Sequence, residues 1–178
     1  MAGRRAVFLD RDGVINQAVV RDGKPYPPSG VDELKIVVGA AEALRDLKKA
    51  GFLLIVVTNQ PDIARGTRSR ATVDAIHQAL REALPLDDFF VCVHDDSDQC
   101  DCRKPLPGLL LRAAEKYDID LPQSFMVGDR WRDVDAGASA GCATVWIDYG
   151  YREKRSAAEP SAKVDSIRAA ADWILSQP

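Results

Sequence analysis

The sequence predicts an α/β fold in which a doubly wound, mostly parallel β-sheet carries helices on both of its faces. Short apolar runs alternate with stretches in which apolar residues recur at helical spacing, and this alternation occurs at least four times along the chain. Such alternation is typical of parallel strands joined by crossover helices. Polar residues directly follow three of the apolar runs, and folds of this class bind ligands beyond the carboxyl ends of their strands.

Five apolar runs are predicted to be buried strands, because they are short and rich in β-branched or aromatic residues. They span residues 6–9, 53–57, 89–91, 125–127 and 144–147. Apolar residues at helical spacing predict four helices. The helices are marked by Leu44 and Leu47; Val73, Ile76, Leu80 and Leu84; Leu110, Ala114 and Tyr117; and Val164, Ile167, Ala171 and Ile174. Segment 17–38, rich in Pro and Gly, is predicted to be a surface loop over the binding edge, too short and broken to form a cap domain.

Length and composition predict one domain spanning residues 1–178. A chain of 178 residues has the usual size of a domain and can bury a core without disulfide bonds. Its longest apolar stretch, 52–57, is far shorter than the ~18 residues of a membrane span, and the N-terminal residues leave no room for a signal-peptide core. A formal net charge of −3, without a block of five or more like charges, argues against nucleic acid or an anionic membrane surface as the main partner. We therefore expect a cytoplasmic monomer.

Three aspartates at predicted strand ends suit phosphoryl chemistry. Asp10 and Asp12 directly follow the first strand, so one carboxylate can attack phosphorus while the other protonates the leaving group and later activates water. Asp129, after the fourth strand, would complete an oxygen-ligand site for Mg²⁺. Thr58, after the second strand, and Lys104 can donate to the phosphoryl oxygens, where negative charge accumulates in the transition state.

Each of these groups also has an ordinary structural explanation. Asp-x-Asp-Gly occurs in turns and calcium loops, the pair Thr58 and Asn59 can end a strand and cap a turn, and Lys104 can be a solvated lysine. Their common placement at one edge of one predicted sheet is what favours a functional site.

Four metal-ligating residues are concentrated between positions 92 and 102. Cys92 with His94, and Cys100 with Cys102, form two pairs at spacing i, i+2, and in an extended chain such side chains point the same way. Three thiolates and one imidazole suit a closed tetrahedral site for structural Zn²⁺. The alternative is three unrelated small residues and a surface histidine. Because Arg103 and Lys104 come next, a zinc clamp would hold the loop of this lysine in a defined direction.

Four motifs, in order and spread over nearly the whole chain, resemble those of the haloacid dehalogenase superfamily of phosphatases. They are Phe8-Leu-Asp-Arg-Asp-Gly-Val14, Val57-Thr-Asn-Gln60, Cys102-Arg-Lys-Pro105 and Val127-Gly-Asp-Arg-x-x-Asp133. The resemblance implies the Rossmann-like core of that superfamily without a cap domain. It implies Asp10 as the nucleophile that becomes an aspartyl-phosphate, Asp12 as general acid and base, and Thr58 and Lys104 as phosphoryl stabilisers.

The resemblance also implies cofactors and substrate contacts. Mg²⁺ would be held by Asp10, Asp129 and the backbone carbonyl of Asp12, and members of the same family carry a structural Zn²⁺ site of the kind that the cysteine spacing predicts. Four residues are assigned to substrate binding: Asn59, Gln60, Arg103 and Arg130.

Within the superfamily, segments 58–66 and 102–110 resemble the D-glycero-D-manno-heptose 1,7-bisphosphate 7-phosphatases. This implies a small phosphorylated sugar as substrate, with removal of its 7-phosphate. Histidinol-phosphate phosphatase is the nearest alternative, because it shares the catalytic residues and because Arg130 also resembles its fourth motif. Two alternatives come from other classes. A receiver-like phosphoacceptor domain is one, but such a domain phosphorylates an aspartate at a different strand. A non-catalytic, zinc-stabilised module is the other, but it would require a degenerate catalytic site.

Other residues allow two interpretations. His77 is predicted to be a surface or helix-packing residue, and Cys142 to be a small core residue. Trp131 either lines the substrate entrance or packs, and Asp133 either supports the metal ligands or is an ordinary helix residue. Three arginines either hold a distal phosphate or form a solvated basic patch: Arg65, Arg68 and Arg70.

Overall fold

A parallel β-sheet forms the centre of the molecule in the computed structural model, which describes residues 3–178. The strands, in chain order, are β1 (Ala6–Leu9), β2 (Val19–Arg21), β3 (Lys24–Tyr26), β4 (Leu53–Asn59), β5 (Asp88–Cys92), β6 (Phe125–Gly128), β7 (Ala143–Ile147) and β8 (Ala162–Val164). Six of them form one sheet in the order β5-β4-β1-β6-β7-β8, and every neighbouring pair in it is parallel. The predicted fold class and all five predicted strands are confirmed.

Helices cover both faces of this sheet. They are α1 (Ala40–Lys49), α2 (Arg70–Ala83), α3 (Gly108–Tyr117), α4 (Trp131–Ala140) and α5 (Ile167–Leu175). The starts of α2 and α5 are defined by serine caps: the side-chain oxygens of Ser69 and Ser166 accept hydrogen bonds from backbone N–H groups three residues later.

Alternation along the strands divides the apolar side chains between two cores. In β1, Val7 and Leu9 belong to the core under α1, α2 and α5, whereas Ala6 and Phe8 belong to the core under α3 and α4. A strand has a side-chain period of two, so a strand buried on both faces is apolar at every position. This arrangement leaves the carboxyl ends of the strands as the place where polar groups are exposed together.

Segment 17–38, which the sequence analysis treats as a loop, contains the antiparallel hairpin of β2 and β3. The turn between the two strands is Asp22-Gly23, and both residues have positive φ angles, 50° and 74°. Asp-Gly is a preferred pair for a two-residue hairpin turn, because the primed turn types need positive φ at both positions. The loop prediction was wrong because this dipeptide forms a hairpin turn, although the segment as a whole is rich in proline and glycine.

Two further elements differ from the sequence-based expectation. Val164, assigned to the last helix, lies in β8, and the helix begins at Ile167 after the cap Ser166. The three-residue spacing of the two apolar residues was compatible with a helix by coincidence. Helix α4 was not predicted, because its buried face consists largely of small residues such as Ala136 and Gly137.

The structure bears on two predictions about the whole chain. None of the helices in residues 3–178 is long and apolar enough to cross a membrane. The single domain predicted over 1–178 includes residues 1 and 2, which lie outside the described part of the chain, and the domain count stays a prediction.

Substitution Gly137→Ala tests the close contact between α4 and the sheet. A Cβ atom at this position would lie 2.6 Å from Cβ of Met126 and 2.7 Å from Cγ2 of Thr144. Alanine is the better helix former by about 1 kcal/mol, but we expect the overpacking to outweigh this and to cost about 1–3 kcal/mol, measured by denaturant unfolding. Ser139→Ala, at an exposed position of the same helix, should change stability by less than about 0.5 kcal/mol. A more stable Gly137→Ala protein would contradict the described packing.

Candidate active site

The ends of three neighbouring strands bring predicted site residues together. Asp10 follows β1, Thr58 lies near the end of β4, and Asp129 follows β6; β1 lies between the other two strands. The backbone N–H of Asp10 donates to the oxygen of Val127 at 3.0 Å, so the residue is held by the sheet. Lys104 enters the same site from the loop that precedes α3.

Lys104, with 2% of its surface exposed, is the charged centre of the site. Its ammonium donates to Asp10 Oδ1 at 2.8 Å, to Asp133 Oδ1 at 2.6 Å and to the backbone oxygen of Val57 at 2.8 Å, which uses all three protons. Burial alone would lower the pKa of Lys104, but the two carboxylates raise it above its usual range. The Asn59 amide holds the lysine backbone through two hydrogen bonds of 3.0 Å, to its N–H and its carbonyl oxygen.

Three buried carboxylates face one another beside this lysine. One oxygen from each of Asp10, Asp129 and Asp133 lies within 4.8 Å of the other two. Asp133 Oδ1 is bonded to Lys104, and its Oδ2 accepts the backbone N–H of Arg130 at 3.1 Å. Burial, followed by the charge of Asp133, raises the pKa of Asp10 to about 6, against the pull of Lys104. Burial and the charges of Asp10 and Asp133 raise the pKa of Asp129 well above its usual value.

Asp129 has the chemistry of a ligand for a hard cation. It is 1% exposed, and among the described residues neither carboxylate oxygen has a partner with hydrogen-bond distance and geometry; the nearby Tyr151 hydroxyl opposes the effect of burial on its pKa without outweighing it. Buried polar atoms are normally satisfied, and carboxylates are the usual protein ligands of Mg²⁺. The backbone makes room for this side chain at Gly13, which has a φ of 90° and where a Cβ would lie 2.0 Å from Asp129 Oδ2. The residues present therefore fit a divalent cation between Asp10 and Asp129.

The carboxylate of Asp12 is held outside this group of three. It accepts a two-pronged pair of hydrogen bonds from the Arg11 guanidinium at 3.0–3.3 Å, and one each from Asn16 and Gln60 at 3.0 Å. Burial would raise the pKa of Asp12, but the Arg11 charge and these donors outweigh it and lower the pKa. The predicted metal ligand from Asp12 is its backbone carbonyl oxygen, and these side-chain hydrogen bonds leave that oxygen free.

Gln60 connects two of the predicted catalytic side chains. Its Nε2 donates to Asp12 Oδ2 and to Thr58 Oγ1, both at 3.0 Å, and the residue is buried. Because the Thr58 oxygen accepts from Gln60, the hydroxyl proton of Thr58 remains available for another acceptor. Gln60, assigned to substrate binding from the sequence, is thus placed to orient Asp12 and Thr58.

The site opens into a cavity of about 410 Å³. Its floor contains Asp10, Asp12, Lys104 and Asp133, and Asn59 is part of its wall. Five basic and two acidic side chains surround the outer part: Lys24, Arg65, Arg103, Arg130, Arg132, Asp62 and Asp96. Asp95 and Glu153, which pair with Arg65 and Arg130, reduce this excess to a single positive charge, which still favours an anionic ligand.

The two arginines predicted to bind substrate line this cavity and are each held by an acid. Arg103 Nε donates to Asp96 Oδ1 at 2.7 Å, and Arg130 forms a two-pronged pair with Glu153. Arg132, which was not predicted from the sequence, also lines the cavity; it donates to the backbone oxygen of Lys104 at 3.1 Å and lies 3.4 Å from Asp96 Oδ1. Its only sequence signal is its spacing of two from Arg130.

Some of the remaining predicted residues line the cavity, and others pack against neighbouring side chains away from it. Among the three arginines at 65, 68 and 70, Arg65 lines the cavity and is paired with Asp95 at 2.7 Å, whereas Arg70 pairs with Asp74 on α2. Trp131 packs its ring under the ammonium of Lys154, 3.7 Å from the ring centre.

The hairpin of β2 and β3 contributes Lys24 and Tyr26 to the cavity. These residues were missed because segment 17–38 was predicted to be a loop, and the Asp22-Gly23 turn was the signal that pointed to them. Cys142 is buried in the core under α3 and α4, as predicted, and burial raises the pKa of its thiol to about 12.

The cysteine and histidine cluster is assembled as the spacing predicts. Ligand atoms of Cys92, His94, Cys100 and Cys102 lie within 4.8 Å of one another, and individual pairs are separated by 3.0–3.7 Å. A tetrahedron with metal bonds of about 2.0–2.3 Å has edges of about 3.3–3.8 Å. Burial raises the pKa of the Cys92 thiol. Burial also opposes ionisation of Cys100, but the backbone N–H groups of Arg103 and Cys102 outweigh it and lower the pKa of that thiol. The cluster fits a zinc ion.

A family model described as haloacid dehalogenase-like hydrolase matches residues 17–141. The chain belongs to this family and is a phosphatase.

Curated relatives support the same assignment over nearly the full chain. The D-glycero-beta-D-manno-heptose-1,7-bisphosphate 7-phosphatase of Bordetella bronchiseptica is 36% identical, with 97% of this chain and 99% of the relative covered. The D-glycero-D-manno-heptose-1,7-bisphosphate 7-phosphatase of Thermosynechococcus vestitus is 33% identical, with 96% and 95% covered. A crystal structure of the B. bronchiseptica D,D-heptose 1.7-bisphosphate phosphatase, complexed with magnesium and phosphate, superposes with a TM-score of 0.78 at 33% identity and covers 96% and 98% of the two chains.

Substitution Asp129→Asn tests the buried charge excess. A carboxyl group whose pKa is raised on folding binds its proton more tightly in the folded state, so the stability it contributes is lost as pH rises through that raised pKa. Without added Mg²⁺, the variant should therefore melt higher than the parent at pH 8, by at least about 2–4 °C, the effect of about 1 kcal/mol in a chain of this size. At pH 5 the difference should shrink.

Glu115→Gln, an exposed acid on α3, is the matched control and should shift the melting temperature equally at both pH values. If Asp129→Asn is no more stable than the parent at pH 8, the buried carboxylate is compensated by something other than a metal.

Proposed function

We propose that the chain is a Mg²⁺-dependent phosphatase that removes the 7-phosphate of D-glycero-D-manno-heptose 1,7-bisphosphate. The observation that carries this proposal is the placement of Asp10 on the floor of the cavity, between Lys104 and the unpartnered carboxylate of Asp129. The names of relatives that match nearly the whole chain support the substrate. We further propose that the protein acts as a monomer.

In the first step, a carboxylate oxygen of Asp10 attacks phosphorus and the bond from phosphorus to the sugar oxygen breaks. The leaving oxygen takes a proton from the Asp12 carboxyl group, and Asp10 carries the phosphoryl group as an aspartyl-phosphate. The Lys104 ammonium can shift its hydrogen bond from Asp10 Oδ1, 2.8 Å away, to a phosphoryl oxygen as Asp10 attacks, and the Thr58 hydroxyl is free to donate to another.

In the second step, water attacks the phosphorus of the aspartyl-phosphate and gives a proton to the Asp12 carboxylate. The products are inorganic phosphate and the original Asp10 carboxylate. The lowered pKa of Asp12 suits this base step directly. For the acid step, the negative charge of a bound phosphate near Asp12 raises its proton affinity in the substrate complex.

Two metal ions have separate tasks in this proposal. Mg²⁺, held by Asp10, Asp129 and the backbone carbonyl of Asp12, supplies positive charge that offsets repulsion between the phosphate and these carboxylates. Zn²⁺, held by Cys92, His94, Cys100 and Cys102, holds the loop that carries Lys104.

The charge of the outer cavity favours a bisphosphate over histidinol phosphate. Arg103, Arg130 and Arg132 line the cavity beyond the catalytic floor, where the second phosphate of the sugar would extend. Guanidinium groups bind phosphate through two-pronged hydrogen bonds. Histidinol phosphate has no second phosphate, and its distal imidazole cannot accept the two-pronged hydrogen bonds that these arginines offer.

A phosphate-release assay with a substrate panel tests the proposal. We expect kcat/KM for the heptose 1,7-bisphosphate to exceed that for histidinol phosphate and for small sugar monophosphates by at least about tenfold, since hydrogen bonds to charged groups contribute about 1.5–3 kcal/mol. Asp10→Asn should abolish hydrolysis of all of them, whereas Asp32→Asn, at an exposed position, should not. Preference for histidinol phosphate would overturn the substrate, and full activity of Asp10→Asn would overturn the nucleophile.

Substitution Cys100→Ser tests the separate task of the zinc cluster. We expect the purified variant to lose its zinc, measured by elemental mass spectrometry, and to lose at least about tenfold in kcat, because Lys104 depends on this loop for its position. Cys142→Ala, which removes a cysteine outside the cluster, should retain one zinc per chain. Loss of all zinc with unchanged kcat would contradict the positioning role of the cluster.

A further inference from the structure

A fully buried arginine stands between the proposed nucleophile and the proposed acid in the sequence, and its side chain contacts the acid. Arg11 is 0% exposed and is among the largest fully buried side chains of the described residues. A buried guanidinium is costly unless all of its sides find partners. Two of its nitrogens, Nε and Nη2, face the Asp12 carboxylate at 3.0–3.3 Å.

The third nitrogen of Arg11 faces a histidine on α2. Arg11 Nη1 lies 3.2 Å from Nε2 of His77, which is 6% exposed. Arginine can only donate hydrogen bonds, so Nε2 of His77 is the acceptor and its ring proton is on Nδ1. Burial and the neighbouring charge of Arg11 lower the pKa of His77 to about 4, which keeps the ring neutral and able to accept. The imidazole is therefore a fixed acceptor and not a cation.

The histidine is itself held by packing. Its ring lies against Phe89 of β5, with ring centres 4.7 Å apart and an interplanar angle of 32°. The imidazole plane thus fixes where Nη1 must point, and the planar guanidinium then fixes the direction of Nε and Nη2. Asn16 and Gln60 also donate to Asp12, but Arg11 is the one of its three partners that carries a charge, and His77 is the side chain that holds the opposite end of this guanidinium.

We propose that Arg11 and His77 form a positioning pair that holds Asp12 in its acid–base orientation. This inference rests on the acid–base role of Asp12 in the proposed function. It adds α2 to the elements that shape the site, and it gives His77 a task that the sequence interpretation, as a surface or packing residue, did not include.

Two substrates whose leaving groups differ in their need for a proton can distinguish a positioning role of this pair from a purely structural role. A sugar oxygen needs a proton to leave, whereas the acetate of acetyl phosphate does not. The value of kcat/KM reports on steps up to release of the leaving group. Disturbing Asp12 should therefore lower kcat/KM for the sugar phosphate much more than for acetyl phosphate, and a general loss of folded protein should lower both equally.

The experiment compares His77→Leu, which removes the acceptor, with His77→Gln, whose side-chain oxygen can still accept from Arg11. We expect His77→Leu to lower kcat/KM for the sugar phosphate by about tenfold, part of the 10²–10⁴-fold that acid–base catalysis supplies, and to lower that for acetyl phosphate less than about twofold. His77→Gln should recover most of the loss. Ile76→Val, a buried neighbour on α2, should lower the melting temperature without changing the ratio between the substrates.

Arg11→Lys provides a second variant in case His77→Leu does not fold. A lysine keeps the charge but cannot contact Asp12 and His77 in one plane, so the same selective loss is expected. An equal fall on both substrates, or identical values for the Leu and Gln variants, would overturn the positioning pair. Asp12→Ala, measured in parallel, tests the proposed function on which this inference rests. If Asp12→Ala lowers kcat/KM equally for the sugar phosphate and for acetyl phosphate, the acid role of Asp12 itself is wrong.

Discussion

The buried ammonium of Lys104 is the interaction on which the site depends. Its three hydrogen bonds join the carboxylate after β1, the end of β4 and a carboxylate on α4. One ammonium cannot neutralise Asp10, Asp129 and Asp133, so burial first and the excess negative charge second raise the pKa values of Asp10 and Asp129. This imbalance of charge is the physical reason to expect a cation between Asp10 and Asp129.

The surrounding structure keeps this charged group in place at a cost in stability. The two apolar cores hold the sheet from both faces, so the three strand ends cannot separate. The loop that carries Lys104 has little regular structure of its own; the double hydrogen bond from Asn59 holds it, and in the proposed function zinc bound to the cysteine and histidine cluster does so as well. Functional sites commonly store strain of this kind, which their ligands then relieve.

The sequence was most informative where chemistry and strand ends coincide. Asp10, Asp129 and Lys104 are brought together because parallel strands place their carboxyl ends at one edge, and the cysteine cluster follows from simple spacing. The hairpin, α4 and the place of Val164 were not predicted, because short edge strands and helices with small buried residues have weak apolar patterns. The contact between Arg11 and His77 joins residues 66 positions apart, and nothing in the local sequence of either residue signals it.

Calorimetric titration of Mg²⁺ into the zinc-containing protein tests the central claim most directly. The charge excess predicts one Mg²⁺ site in the parent protein, and an affinity at least about tenfold weaker in Asp129→Asn, because the amide removes a ligand charge and the repulsion that the ion relieves. Equal affinity in the two proteins would show that the unpartnered carboxylate of Asp129 is not where the cation binds.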